Sequence, residues 1–261
     1  FVGADSPDSH TSISDSEREY IKSTLVNSSV QSSTMPTPWR HIVTSGPMWA
    51  LLIVHLGQNW GFWMLLTMLP NYLSHVLNFN IKSNGLMSSI PYMVMWGLTI
   101  VFSWIADYIN ERRLLPLSVS RKMWNTIAHW GGAAALLGLS LASTVWGALV
   151  LLTISVALNA GVYMGFLTNH LDLAPNFAGL LMGITNGLSN ITSILGPMIT
   201  GFIVSDQTSK DQWMIAFYIS AAIFFAGNLV FMVFGSTDVQ PWNNPLQEDL
   251  RNEKPKKSSD I

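Results

Sequence analysis

Cysteine is absent from the 261 residues. That excludes disulfide scaffolds, zinc-thiolate centres and thiol nucleophiles, and leaves the redox compartment unreadable. Charge is scarce as well: Asp, Glu, Lys and Arg make up 11% of the chain, against about 25% in an ordinary soluble domain. The net charge of −2 provides no broad basic field, so nucleic acid is not expected as a partner. Neither GxxxxGK[ST] nor GxGxxG occurs, which excludes nucleotide-driven pumping within this chain. The histidines at 10, 41, 55, 75, 129 and 170 include no HExxH and no i,i+4 pair, so no metal site is expected. No pair of carboxylates lies in an apolar segment where it could do acid–base work. The expectation is a non-enzyme with no catalytic residues and no bound cofactor.

What is present is apolar. Hydrophobic residues reach 49%, with 11 Trp, 12 Phe and 13 Met, and the mean hydropathy is +0.33. Six stretches free of Asp, Glu, Lys and Arg are long enough to cross about 30 Å of hydrocarbon: 47–72, 85–106, 124–142, 145–168, 179–204 and 213–234. A charge at a bilayer centre costs roughly 2.5–3.5 kcal/mol, which accounts for its avoidance in all six. The fold class read from this is all-α: a polytopic membrane protein with six transmembrane helices, its spans lying in a lipid bilayer.

The few charges set a topology. With six spans both ends fall on one side, and Arg18, Lys22, Arg40, Arg112, Arg113, Arg121, Lys122, Arg251, Lys254, Lys256 and Lys257 lie there, eleven against Lys82 and Lys210 opposite. Positive charge concentrates on the cytoplasmic face, so both ends are expected in the cytoplasm. Trp39, Trp49, Trp104, Trp124, Trp146 and Trp213 sit near span ends, as interfacial aromatics do. The domain reading is a cytoplasmic loop or linker over 1–46, a six-helix bundle over 47–234, and a disordered cytoplasmic tail over 235–261. Within the first segment, Ser14 and Glu17 fit a capping box opening a short helix to about Val26, and the Ser-rich 27–37 reads as a flexible linker. The sequons at Asn27 and Asn190 are not expected to carry glycans, one being cytoplasmic and the other within a span.

Inside the spans, glycines recur every four residues at 57 and 61, at 161 and 165, and at 179, 183 and 187, a pattern that lets helices approach closely in lipid. Pro91 and Pro197 lie within spans and Pro70 near an end, where each can kink a helix. Helical spacing puts His55, Gln58, Asn59 and Phe62 on one face, Asn159, Tyr163 and Phe166 on a second, and Asn186, Asn190 and Ser193 on a third, with Thr185, Ser189 and Thr192 beside it. Such faces serve either interhelical hydrogen bonds or a wet cavity for a polar solute; three of them favour the cavity. The expected lining is Gln58, Asn59, Phe62, Tyr163, Asn186 and Asn190. The alternatives to a carrier are a channel, which should show charge rings or carbonyl filters that are not visible in this sequence, and a non-transporting receptor.

The loops carry a resemblance. The block Asn169-His170-Leu171-Asp172-Leu173-Ala174-Pro175, continuing through Gly179, Gly183 and Asn186, resembles the signature of solute carrier family 17, the anion transporters of the major facilitator superfamily. Glu17 to Ile21, Pro38-Trp39-Arg40, His55 to Trp63, Leu86 to Tyr92, Val119 to Lys122 and Gln240-Pro241-Trp242 resemble further parts of that family, with arthropod inorganic phosphate cotransporters the nearest in pattern. The resemblance implies secondary active transport of anions, inorganic phosphate or organic, coupled to sodium or protons, at the plasma membrane or in a lysosomal or vesicle membrane. Family members have twelve spans in two halves. Six spans that begin at Phe1 without Met imply the C-terminal half, with an N-terminal six-helix half of the same protein as partner; the principal substrate arginine and coupling group would lie in that half. Vesicular glutamate transporters carry arginine at the position of Gln58, which argues here against glutamate. The run from Asp107 to Arg113 resembles the superfamily's cytoplasmic Asp-to-Arg motif without its usual glycine, and implies a latch of Asp107 with Arg112 or Arg113 against the start of the span at Gly179. His170 and Asp172, at the cytoplasmic end of the fourth span, are read as loop structure or as a gate.

Overall fold

The computed structural model describes residues 7–10, 12–32 and 36–244. They fall into two units, one containing the N-terminal helix and the other spanning residues 40–240. In the first, α1 (Asp15–Ser32) starts where the Glu17 amide donates to Ser14 Oγ at 3.2 Å. It runs six residues beyond the expected Val26, into the segment read as a linker. Serine and asparagine there are only modest helix formers, but no Gly or Pro interrupts the chain before Pro36. The sequon at Asn27 therefore sits on helical backbone.

The second unit is built from long helices. After α2 (Trp39–Thr44) come α3 (Gly46–His75), α4 (Ile81–Glu111), α5 (Leu117–Gly138), α6 (Val145–Leu158), α7 (Phe166–Leu173), α8 (Ala178–Ile203) and α9 (Lys210–Phe234). Three starts are capped as helix N-termini require: Ser45 Oγ accepts from the Met48 amide, Thr144 Oγ1 from Gly147 and Ser209 Oγ from Gln212. Helix α3 is the centre. It packs along α8 and α9, while α5 packs on α9 and α6, and α4 on α6. The apolar core joins Leu65, Leu69 and Tyr72 of α3 to Leu136 of α5, Leu152 of α6, and Trp213, Phe217 and Phe224 of α9.

Among the described residues, three segments are apolar and long enough to cross a membrane by length and composition: Gly85–Glu111, Val145–Leu173 and Lys210–Phe234. Six were expected. Helices α3, α5 and α8 are 30, 22 and 26 residues long, but they carry the asparagines, histidines, serines and threonines that face the bundle interior, and these dilute their apolar character. Arg121 and Lys122, expected in a loop, lie within α5.

The fourth segment is broken. Helix α6 passes into a 3-10 turn over Asn159–Tyr163 before α7 begins. The prolines do not cause it: Pro70, Pro91 and Pro197 sit inside continuous helices. Glycine permits the close approach at the break instead. A Cβ on Gly161 would stand 2.6 Å from the Trp124 carbonyl oxygen of α5, and one on Gly165 about 3.0 Å from Asn125 Oδ1. Gly57 and Gly61 are likewise packed, against Ile223 and Phe224 of α9, whereas Gly179, Gly183 and Gly187 meet nothing within 4 Å.

Two tryptophans expected at interfaces are buried. Trp213 packs edge-on to Tyr72 with ring centroids 5.5 Å apart, and Trp124 lies 4.9 Å from Phe102. The segment after α9, expected to be disordered, begins in order: the Gln240 amide donates to Leu173 O at 2.9 Å, and a short 3-10 turn follows over Pro241–Asn243. The remaining tail, with Arg251, Lys254, Lys256 and Lys257, lies outside the described residues, as does Phe1.

Candidate functional site

A cavity of about 140 Å³ opens between α3, α4 and the broken fourth segment. From α3 it takes His55, Gln58, Asn59 and Phe62, which the 3.6-residue period places on one face. From across the cavity it takes Tyr163 and Phe166. Their common placement does not come from helical periodicity, because a 3-10 turn lies between Asn159 and Phe166; Asn159 is buried and Tyr163 is exposed.

The polar groups are oriented by fixed partners. Asn159 Nδ2 donates to the Ser155 carbonyl at 2.7 Å. A carbonyl only accepts, so Asn159 Oδ1 is the atom left for Gln58, whose Nε2 donates to it at 2.8 Å. Gln58 Oε1 is then buried with no hydrogen-bond partner among the described residues. Asn59 Nδ2 donates to Ser189 Oγ at 2.8 Å, and Thr192 Oγ1 donates to the Leu56 carbonyl at 2.8 Å. Behind the cavity, His55 Nδ1 lies 3.2 Å from Thr185 Oγ1, and His170 Nε2 lies 2.9 Å from the same oxygen.

The face that α8 turns toward α3 is therefore Thr185, Ser189 and Thr192. Asn186 and Asn190 are exposed on its other side and do not line this cavity; Asn190 Nδ2 donates to the Asn186 carbonyl. The two faces are one residue apart in sequence, and an i,i+4 pattern of polar side chains exists on both. What separates them is burial, which the spacing does not report.

The expected gating residues divide in two. Asp107, Arg112 and Arg113 are exposed at and beyond the end of α4. The Arg112 guanidinium stands 5.7 Å from the Tyr108 ring centroid, and Arg113 adopts a positive φ of 51° as the chain leaves the helix. No ion pair links these three to one another or to the start of α8 among the described residues. Asp172 instead is paired. Its Oδ2 and Oδ1 accept from Arg121 Nε at 2.7 Å and Nη2 at 3.1 Å, with both side chains nearly buried. Arg121 Nη1 donates to the Met164 carbonyl, and Asn169 Nδ2 donates to Asp172 and to the Ser236 carbonyl. This clamp ties α5, α7 and the chain after α9. Arg121 was not among the expected site residues, because a cation beside a span edge looks like any cytoplasmic charge.

The site thus offers fixed neutral donors and acceptors and no ionised group on the cavity wall. Among the described residues no group of three or more His, Asp or Glu is placed to hold a metal ion.

Comparisons with known proteins show what the chain is similar to. The profile described as Major Facilitator Superfamily matches residues 4–191. The chain is 40% identical over 254 residues to a Drosophila ananassae protein named "Putative inorganic phosphate cotransporter", covering 96% of this chain and 52% of that one. It is 37% identical over 243 residues to human sialin (93% and 48%) and 32% identical over 248 residues to human vesicular glutamate transporter 2 (94% and 42%). The chain spans about half the length of the curated relatives it matches.

Proposed function

The chain belongs to the Major Facilitator Superfamily, a family of membrane transporters and not of enzymes, and is related to its solute carrier family 17 members; from that premise we propose that it is the C-terminal six-helix half of a secondary active anion transporter. In this reading α3, α4, α5, the α6–α7 segment, α8 and α9 are the six spans, and both ends lie in the cytoplasm on the strength of the lysine and arginine bias. The solute is a small anion, inorganic phosphate or an organic acid. The coupling ion is sodium or a proton, and the membrane is the plasma membrane or that of a lysosome or vesicle. Transport proceeds by alternating access, the two halves rocking about a midplane site.

The observation that carries this is the cavity wall of α3. Gln58 and Asn59 are held by Asn159 and Ser189, so their amides stand pre-oriented at the opening. Each amide nitrogen has two hydrogens and uses one on its protein partner, which leaves one for an anion. Phe62 and Tyr163 wall the opening. A set of neutral donors orients an anion without neutralising it, so the cation that binds the substrate belongs to the other half.

The test is uptake of labelled phosphate and a panel of organic anions into proteoliposomes holding the full-length protein. Saturable uptake driven by a sodium or proton gradient is expected. No uptake across the panel refutes the reading, as would transport by the 261-residue chain alone.

A further inference from the structure

We infer that His55, Thr185 and His170 form a directional proton relay leading from the cavity to the C-terminal end of α7. The direction follows from the hydrogen-bond chemistry alone. His170 Nδ1 lies 3.0 Å from the Leu167 carbonyl oxygen, which only accepts, so Nδ1 carries a hydrogen. In a neutral ring Nε2 is then an acceptor, and its partner at 2.9 Å, Thr185 Oγ1, must donate. The hydroxyl has a single hydrogen, and the competing Met182 carbonyl at 3.4 Å is the weaker acceptor. Thr185 can therefore only accept from His55, so His55 Nδ1 carries a hydrogen as well. His55 Nε2 has no hydrogen-bond partner among the described residues, and His55 lines the cavity.

The step balances. A hydronium ion entering the cavity gives its proton to His55 Nε2, one of its O–H bonds breaking to leave water. The His55 Nδ1–H bond breaks as a hydrogen joins Thr185 Oγ1, and the original Thr185 O–H bond breaks as its hydrogen joins His170 Nε2. His55 ends neutral in the opposite tautomer, Thr185 is unchanged, and the charge rests on His170. That residue lies in the last turn of α7, where the negative end of the helix dipole favours a cation. All three side chains are buried, with Thr185 fully so, and the Phe166 ring packs tilted against His55 with centroids 5.0 Å apart, which shields the chain from bulk water.

The surrounding elements do not offer an alternative carrier. Helix α5 brings His129, whose Nδ1 faces its own Asn125 carbonyl and whose Nε2 is buried with no hydrogen-bond partner among the described residues, so that it joins no chain, and Arg121, neutralised by Asp172 of α7. The 3-10 turn brings Tyr163, and α4 brings Tyr92; Asp107, Tyr108 and Glu111 of α4 are exposed. Helix α8 has no ionisable side chain, and Lys210, Asp211 and Tyr218 of α9 are exposed.

The inference deepens the transporter reading, since it identifies a route for a coupling proton, and two measurements separate the fates of the two. The first does not require transport. The full-length protein, labelled with 15N in its imidazoles and held in lipid nanodiscs, should show Nδ1–H tautomers at both His55 and His170. Thr185→Val should abolish the shift at His55 that accompanies protonation of His170, and Thr185→Ser should keep it. An Nε2–H tautomer at His170, or a coupled shift that survives Thr185→Val, overturns the relay. The second uses proteoliposomes. Thr185→Val should slow pH-gradient-driven uptake at least tenfold while solute exchange at equal pH stays within twofold of wild type, and Thr185→Ser should restore both. An equal fall in the two modes, or undiminished gradient-driven uptake, overturns it. If the wild-type protein moves no anion in either mode or under a sodium gradient, the transporter reading fails and the tautomer measurement alone decides the relay; if a sodium gradient but no pH gradient drives uptake, the relay is overturned and the transporter reading stands.

Discussion

Replacing Asp172 by Asn should destabilise the protein more than any loss of an exposed charge. Arg121 and Asp172 have side chains only 10% and 12% exposed and meet through two hydrogen bonds, at 2.7 and 3.1 Å. The substitution keeps the size of Asp172 but removes its charge and turns one of the two accepting oxygens into an amide donor facing the guanidinium, which stays charged and buried with only the neutral Asn carbonyl and the Met164 carbonyl as acceptors. Breaking a buried pair from one side costs about 3–5 kcal/mol, whereas an exposed pair such as Arg18 with Asp15 contributes about 0–1 kcal/mol. At about 2–4 °C per kcal/mol for a chain of this size, the melting midpoint in nanodiscs, followed by tryptophan fluorescence, should fall by roughly 6–20 °C. The double variant Arg121→Met with Asp172→Leu removes both charges and should recover most of that loss, since apolar replacements of a buried pair are often neutral. If Asp172→Asn costs under about 1 kcal/mol, or costs the same with and without Arg121, the clamp is not the buried pair the argument needs.

Other consequences follow from the close approaches and from one turn. Gly161→Ala puts a carbon 2.6 Å from a backbone oxygen of α5 that cannot rotate away, and should cost about 1–3 kcal/mol of stability. Gly183→Ala meets nothing within 4 Å and should leave the melting midpoint of this chain unchanged or slightly raised, alanine being the better helix former; equal losses from the two would refute the packing distinction. Between α8 and α9, Thr208 donates to Asp206 Oδ1 from its hydroxyl at 2.7 Å and its amide at 2.9 Å, and these bonds hold the carboxyl below its ordinary value of 3.8. A depressed carboxylate supports the turn above that ordinary value and loses the support as pH falls through the folded one. Thr208→Val should raise the Asp206 titration midpoint, read by NMR, back toward the ordinary value; an unmoved midpoint would show that the hydroxyl bond does not hold it down.

How far the sequence could be read follows from what each signal measures. The long helices were legible because avoidance of charge over 18 or more residues is a length signal, and α3, α8 and α9 start or end within a few residues of the expected bounds. The break in the fourth segment was not, because it depends on glycines at 161 and 165 meeting Trp124 and Asn125 from another helix, and a four-residue glycine spacing reads the same whether the glycines are packed or free. Gly179, Gly183 and Gly187 repeat that spacing and touch nothing. The polar face of α3 was legible for the converse reason: one uninterrupted helix carries His55, Gln58, Asn59 and Phe62, so periodicity alone puts them on one side. On α8 periodicity offered two faces 100° apart. Hydrogen-bond capacity selects between them: the short hydroxyls of Thr185, Ser189 and Thr192 each meet a neighbouring helix, Ser189 accepting from Asn59 while donating to Asn186 O, Thr192 facing both Leu56 O and Ser189 O, and Thr185 lying between His55 and His170. Asn186 and Asn190 reach outward, with Asn190 bonding only along α8. A primary amide there keeps donors free for whatever covers that side of α8, so the same two residues that do not line the cavity of this chain are the ones to test at the face where the second half of the transporter would sit. Asn186→Ala and Asn190→Ala should leave the melting midpoint of the isolated chain within about 0.5 kcal/mol of wild type, as surface substitutions do, and should weaken substrate uptake by the full-length protein; a destabilised chain would mean that these amides hold the bundle itself.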